Sequence, residues 1–415
     1  MDKVFKSDFV HGTVEIPDES IDNTLPELLR TIREHLRMDV AFISEFTDKK
    51  RVFRYVDSSL AHSPVQVGGA GPLEESYCQR VVDGRLPELL PDAGQHPAAL
   101  ALPVTTLLPV GAHLSVPIRL TDGSIYGTFC CFSHAPNKAL NERDLAMMRV
   151  FATMVGKSID RNHVARKQTQ EIEQRIKSVL SGNDLSSVYQ PIYHLEHDKI
   201  VGFESLSRFS AIPARTPDVW FNEAAKVGLG VELETKAVQA ALQGMAHLPA
   251  DVYISFNVSP ETILSGTIES AFNDAPLERI VLEITEHAST DRYRDIATII
   301  RPLKDQGLRI AVDDAGAGYA SFRHILNLAP DLIKLDVSLT QNIHTDRARR
   351  ALAAALIRFS EETGSKIIAE GVETTLQLKV LRELGVTKAQ GYLLGRPMPL
   401  ASASELCSAH GKRRL

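Results

Sequence analysis

Basic excess, paired cysteines and long apolar runs are what this 415-residue sequence lacks. The formal net charge of -6 gives no support to a nucleic-acid polymer as partner, which would need a basic stripe. Cys78, Cys130, Cys131 and Cys407 are scattered without zinc spacing, and read most simply as reduced thiols in a cytoplasmic protein. Cys130 and Cys131 are neighbours and would face opposite ways in a strand. No run approaches the roughly 18 apolar residues of a transmembrane helix, so no membrane partner is expected. The opening MDKVFKSDFVHG, interrupted by Asp2 and Asp8, does not look like a signal peptide. What is present is ordinary globular composition, 44% hydrophobic and 24% charged, in a length that allows two or three cores.

Residues of about 20–157 read as a first domain. Leu25–Arg37 has apolar residues at 25, 28, 29, 32 and 36, which is helical spacing. Asp39–Glu45 reads as a buried strand and Arg51–Val56 as its hairpin partner. A helix is expected over 72–85, ending at Asp83-Gly84. Five prolines between Pro87 and Pro109 mark an irregular excursion. Two strands follow, Ala112–Leu120 and Ser124–Phe132, joined by the hairpin signal Thr121-Asp122-Gly123. A helix over Asn141–Ile159 closes the domain. This order is an α/β sandwich around an antiparallel sheet, and with GAHLSVPIRLTDGSIYGTFCCF as its core it resembles the GAF family of small-molecule sensor domains. The resemblance implies a pocket for a small ligand, which the sequence does not name. Cys78 is the candidate for chromophore or haem chemistry there, against the simpler reading of a small buried helix residue, and His96 and His113 are metal-ligand candidates against the simpler reading of solvent-facing or core residues.

Residues 158–185 continue the closing helix as a highly charged connector. Ile172, Ile176 and Val179 form a thin apolar seam at coiled-coil spacing. The expectation is a signalling helix that pairs with a second protomer in a homodimer.

From about 186 to 407 strand-like and helix-like runs alternate. Eight strand signals with interleaved helices predict a (β/α)8 barrel. The first two runs, 187–195 and 199–209, are so close that they should form a hairpin, so one strand is expected to be antiparallel. Glu204, Asn257, Glu283, Asp313, Asp314, Lys334, Asp336, Glu370 and Gln390 lie at or near the carboxyl ends of strand runs, where a barrel converges on one mouth. Asp313 and Asp314 are adjacent and share one site only if the strand curls into its loop. An acidic pair there needs a cation or a proton. Several carboxylates and one amide oxygen suit magnesium or manganese, and a metal pair can stabilise both oxygens of an in-line displacement at phosphorus.

YQPI (189–192), ESL with Arg208, NVS (257–259), LEITE (282–286), DDAGAGYAS (313–321), LIKLD (332–336), AEGVE (369–373) and QGY (390–392) closely resemble the EAL-domain cyclic-di-GMP phosphodiesterases. The resemblance implies hydrolysis of cyclic di-GMP to linear 5'-pGpG with two divalent ions, Mg2+ or Mn2+. It implies that Glu204, Asn257, Glu283 and Asp313 hold one ion, and that Asp313, Asp314, Asp336 and Glu370 surround the other. Lys334 would position the attacking water, and Glu370 would double as a base candidate. Gln390 and Glu373 would support the water and loop network, Glu286 would brace the loop after Asp314, and Arg208 and Gln190 would contact substrate. The chain departs from the family at Ser205, Ala315 and Ala317. The alternative is a catalytically weak cyclic-di-GMP receptor that signals to a protein partner. An enolase-like barrel fits Asn257 and QGY poorly.

Overall fold

The computed structural model describes residues 19–272, 275–284, 292–315 and 326–412. The chain divides into two compact units, Met1–Gln168 and Thr169–Leu415. Among the described residues no helix is long and apolar enough to cross a membrane.

The first unit is built on strands β1 (Val40–Thr47), β2 (Lys50–Ser58), β3 (Ala70–Pro72), β4 (Leu89–Leu90), β5 (Ala112–Arg119) and β6 (Ile125–Ser133). They form one antiparallel sheet in the order β3-β2-β1-β6-β5-β4. Strand alternation divides its apolar residues between two faces. Ala41, Ile43, Leu114, Val116, Phe129 and Cys131 pack with Leu29 and Ile32 of the Glu19–Leu36 helix and with Met148 and Val155 of the closing helix. Val40, Phe42, Cys130 and Phe132 face the other way, onto Tyr77, Cys78 and the proline-rich excursion. The neighbouring cysteines therefore do lie on opposite faces. The helix expected over 72–85 is shorter, Tyr77–Val82, because Pro72 ends β3 and the Ser76 side chain caps the helix by accepting from the Gln79 backbone N–H.

One helix runs from Glu142 to Ser181. Its apolar seam, expected from spacing to meet a second protomer, is instead covered within the chain. Ile176 and Val179 are fully buried against Leu185, Trp220, Ala224 and Leu233, inside the second unit. The end of this helix is held by Lys236, whose ammonium donates to the carbonyls of Val179 and Leu180 at 2.8 Å each and of Gly182 at 2.5 Å. These are carbonyls that a helix end leaves without partners.

The second unit is a closed barrel of β7 (Leu185–His194), β8 (Lys199–Phe209), β9 (Tyr253–Val258), β10 (Ile280–Ile284), β11 (Arg309–Ala315), β12 (Leu332–Leu335), β13 (Lys366–Ala369) and β14 (Lys388–Ala389). β7 runs antiparallel to both neighbours, β8 and β14, while the other pairings are parallel. Outward residues such as Phe203, Ile254, Leu282, Val312, Ile333 and Ile367 pack under the surrounding helices. The last strands end earlier than their apolar runs suggest: β12 stops where Asp336 turns to cap a helix, and β14 is only two residues long.

The anchoring of the long helix by Lys236 is testable. Lys236→Met should lower stability by about 1.5–3 kcal/mol, the worth of hydrogen bonds from a charged donor. Urea denaturation followed by circular dichroism reads this, and an unchanged midpoint would show that the helix end is held by other means.

Candidate active site at the barrel mouth

An apolar floor lies inside the barrel, made of Ile192, Tyr253, Val281, Ala311, Leu332 and Ile368. Residues two apart on a strand share a face. The next inward level on β9 to β13 is therefore Ser255, Glu283, Asp313, Lys334 and Glu370. On the antiparallel strand the same level is Gln190, two before Ile192, directly opposite Glu204 of β8. A polar layer thus stands on an apolar one, and all its members but the partly buried Glu370 are buried.

Lys334 is the centre of that layer. Its Nζ lies 2.7 Å from Glu283, 2.8 Å from Glu370, 3.0 Å from Asp313 and 3.5 Å from Glu204. Gln390 Nε2 donates to Glu204 Oε2 at 2.5 Å and to Glu370 Oε1 at 3.1 Å, tying the two acids together. Burial opposes the charge on Lys334, but Glu204, Glu283, Glu370 and Asp313 outweigh it and hold its pKa well above the usual lysine value. Burial pushes the Glu283 carboxyl up to about 8, against the attraction of Lys334 and with the help of Glu204 and Asp313. Burial raises Glu370 as well. One ammonium does not neutralise four carboxylates. Glu283 Oε1, itself buried, has no hydrogen-bond partner. An orphaned carboxylate oxygen among acids in excess is the donor set a hard cation requires.

The paired aspartates meet the condition that their spacing imposes. The register between β11 and β12 shifts between Val312 and Ala315, and Asp314 adopts a left-handed φ of 54°. This conformation costs a non-glycine residue on the order of 1 kcal/mol. It turns the second carboxylate inward, so that Asp313, Asp314 and Glu370 each offer an oxygen within 4.8 Å of the others. The Asp314 backbone N–H donates to Asp313 Oδ1 at 3.0 Å and holds the turn. Two glycines let the chain leave the barrel beside the acids. Gly371, at φ 60°, has no room for a Cβ beside Val337, and Gly391 has none beside the Val372 backbone.

The remaining residues expected at the site sit around this cluster. Asn257 pairs in register with Glu283 and is exposed toward the mouth. Asp336 uses one oxygen to accept from the Ser338 N–H at 2.9 Å and is not in the acid cluster. Gln190 donates to the Gly395 carbonyl at 3.2 Å. Arg208 is exposed and donates to its neighbour's carbonyl, Ser207, at 2.8 Å. Glu373 is exposed, with its backbone N–H donating to Gln377. Glu286 and Ala317 lie outside the described residues, whereas Ala315 is fully buried at the end of β11.

Two residues of this region escaped the reading of strand ends. Ser255, with its buried hydroxyl unpartnered, belongs to the polar layer, and its signal was the alternation that also places Asn257. Glu234 has no local signal. It comes from the Gly230–Met245 helix, accepts from the Ser259 N–H at 2.8 Å and the Ser259 hydroxyl at 2.9 Å, and so fixes the turn just after Asn257.

Known proteins share this architecture. Residues 171–397 match the family model of the EAL domain, and residues 20–159 that of the GAF domain. The probable cyclic di-GMP phosphodiesterase PdeD of Escherichia coli (strain K12) is 31% identical over 233 residues, covering 53% of this chain and 43% of that protein. The solved PaMucR phosphodiesterase, in a c-di-GMP complex, is 27% identical with a TM-score of 0.51, covering 56% of this chain and 99% of that one. An EAL domain protein from Listeria monocytogenes EGD-e is 26% identical with a TM-score of 0.52, covering 57% and 98%. The chain spans 34%, 43% and 36% of the lengths of three curated relatives it matches, less than half in each case. Fold, match and mouth agree: the chain belongs to the EAL domain family, with a GAF domain preceding the barrel.

Proposed function

We propose that this chain hydrolyses cyclic di-GMP to linear 5'-pGpG at the barrel mouth, under the control of its GAF domain. The observation that carries the reading is the gathering of Glu204, Glu283, Asp313 and Glu370 about Lys334, in a family whose relatives are named for this activity. The reaction forms a bond from water oxygen to phosphorus and breaks one phosphorus–O3' bond, with the released oxygen taking up a proton.

Two divalent ions, Mg2+ or Mn2+, fit the donors. Glu204, Asn257, Glu283 and Asp313 would hold one; Asp313, Asp314 and Glu370 the other, with Asp336 reaching it through water. Bound there, they supply a Lewis acid for the phosphate and a water of lowered pKa. Lys334 holds the acids in place and donates a hydrogen bond to the attacking water. Glu370, its carboxyl raised by burial and 2.8 Å from the Lys334 ammonium, is the base candidate for the attacking water. Gln390 orients Glu204 and Glu370. Arg208 at the rim offers a planar fork to a phosphate, Gln190 lies beside the substrate, and Glu373 and Glu286 brace the loops. Because Ile176 and Val179 are spent within the barrel unit, the proposed homodimer must use other surfaces. The described cysteines are free thiols, which suits the reducing cytoplasm.

Three outcomes test this. With Mg2+ or Mn2+, pGpG should form from cyclic di-GMP, and Glu370→Gln should lower kcat about 100-fold or more. Intact nucleotide binding without turnover would favour a receptor instead. Lys334→Met should destabilise the metal-free protein by about 3–5 kcal/mol, because buried acids lose their counter-charge. Added Mn2+ should recover much of that loss in a thermal melt, whereas no recovery would argue against a cation site. Removing residues 1–160 should change the turnover rate without abolishing it, and identical kinetics would dismiss control by the GAF domain.

A further inference from the structure

The face of the GAF sheet that looks onto the excursion is largely apolar, but beside His113 it carries a patch of hydroxyls and thiols. There Ser44 of β1, Ser115 of β5, Thr128 and Cys130 of β6, and Cys78 of the Tyr77–Val82 helix meet, all of them buried. The two sulfurs lie 3.8 Å apart. Ser44 donates to Cys78 Sγ at 3.8 Å and is 2.9 Å from the Thr128 hydroxyl. Cys130 Sγ is 3.1 Å from Thr128 and 3.0 Å from Ser115. Three hydroxyls round two thiols can solvate a thiolate in a buried site. Cys78 also borders a cavity of about 20 Å³ that it shares with Arg51 and His113. That is room for one water-sized molecule.

We propose that Cys78 and Cys130 form an oxidisable thiol pair, converted to a disulfide by hydrogen peroxide that reaches Cys78 from this cavity. Cys78 is the attacking sulfur because it borders the cavity and faces the Arg51 charge. Burial opposes its ionisation, but the Cys130 thiol, the Arg51 charge and the Thr128 and Ser44 hydroxyls bring it down to about 6. Burial drives Cys130 the other way, so the pair carries its first charge on Cys78. In the first step the Cys78 thiolate forms an S–O bond and the O–O bond breaks, leaving a sulfenic acid and, after protonation, water. In the second the Cys130 sulfur attacks Cys78, the S–O bond breaks, and a second water leaves with the thiol proton. Peroxide is reduced by two electrons and the two thiols are oxidised by two. Closing the bond would join the excursion helix to the sheet covalently. Cys131 is the built-in control, one residue along β6 but buried on the opposite face. The inference does not depend on the chemistry of the barrel.

The test is peptide mass mapping of the full chain after reduction, brief exposure to hydrogen peroxide and alkylation without reductant. The expected product is a peptide pair linked through Cys78 and Cys130, lighter by two hydrogens and reopened by dithiothreitol. Cys130→Ser should stop at a sulfenic acid on Cys78 that dimedone traps when added with denaturant, and Cys78→Ser should leave Cys130 unlabelled under the same treatment. Oxidation confined to Cys407, a link through Cys131, or dimedone on Cys130 in Cys78→Ser would each overturn the assignment. The wild-type map stands even if a variant folds poorly.

Discussion

A single buried ammonium among carboxylates governs the barrel. Lys334 has too little charge to balance Glu204, Glu283, Asp313 and Glu370, yet without it these acids would face one another in a site with little water. Buried ion clusters of this kind contribute little net stability, since desolvation consumes much of the attraction. What they provide here is a prepared excess of negative charge. That excess is tolerated because it stands at the open end of a barrel whose floor, Tyr253 and Val281 among others, is apolar and buried.

Position within the strands follows from the same constraint. Inward side chains recur every second residue, so the switch from apolar to polar happens at one level round the barrel: Val281 then Glu283, Ala311 then Asp313, Leu332 then Lys334, Ile368 then Glu370. Beyond that level the chain must leave the wall. It does so through Asp314 at left-handed φ, through the cap made by Asp336, and through Gly371 and Gly391. The first unit obeys a parallel rule with a different outcome. Its sheet hides two thiols on opposite faces one residue apart, and surrounds only Cys130 with hydroxyls.

Much of this was legible in the chain. The antiparallel hairpin of β7 and β8 followed from a turn too short for a helix, and the acids at strand ends could be read from their places after apolar runs. Other features were not legible because they depend on a partner distant in sequence. Coiled-coil spacing at Ile176 and Val179 says that one face is apolar but not what covers it, and Trp220 does. The apolar run after Lys388 resembles a strand, but regular ladder pairing ends at Ala389, and Gln390 turns out of the wall with its N–H on the Ala369 carbonyl. Glu234 looks like any helix acid until the fold brings it to Ser259.

Local pattern determined by itself that the chain would form an antiparallel sheet unit followed by a barrel, because periods of two and of 3.6 are properties of neighbouring residues. It also determined which strand ends carry acids. Only the tertiary structure decided that Asp313 and Asp314 act on one side, since a regular strand would have separated them and a register shift against β12 does not. It alone decided that Cys78 meets Cys130, 52 residues away, and not Cys131. Chemistry-bearing residues are written in the sequence, but the distances between their atoms depend on closure of the barrel and sheet, which joins strands far apart in the chain.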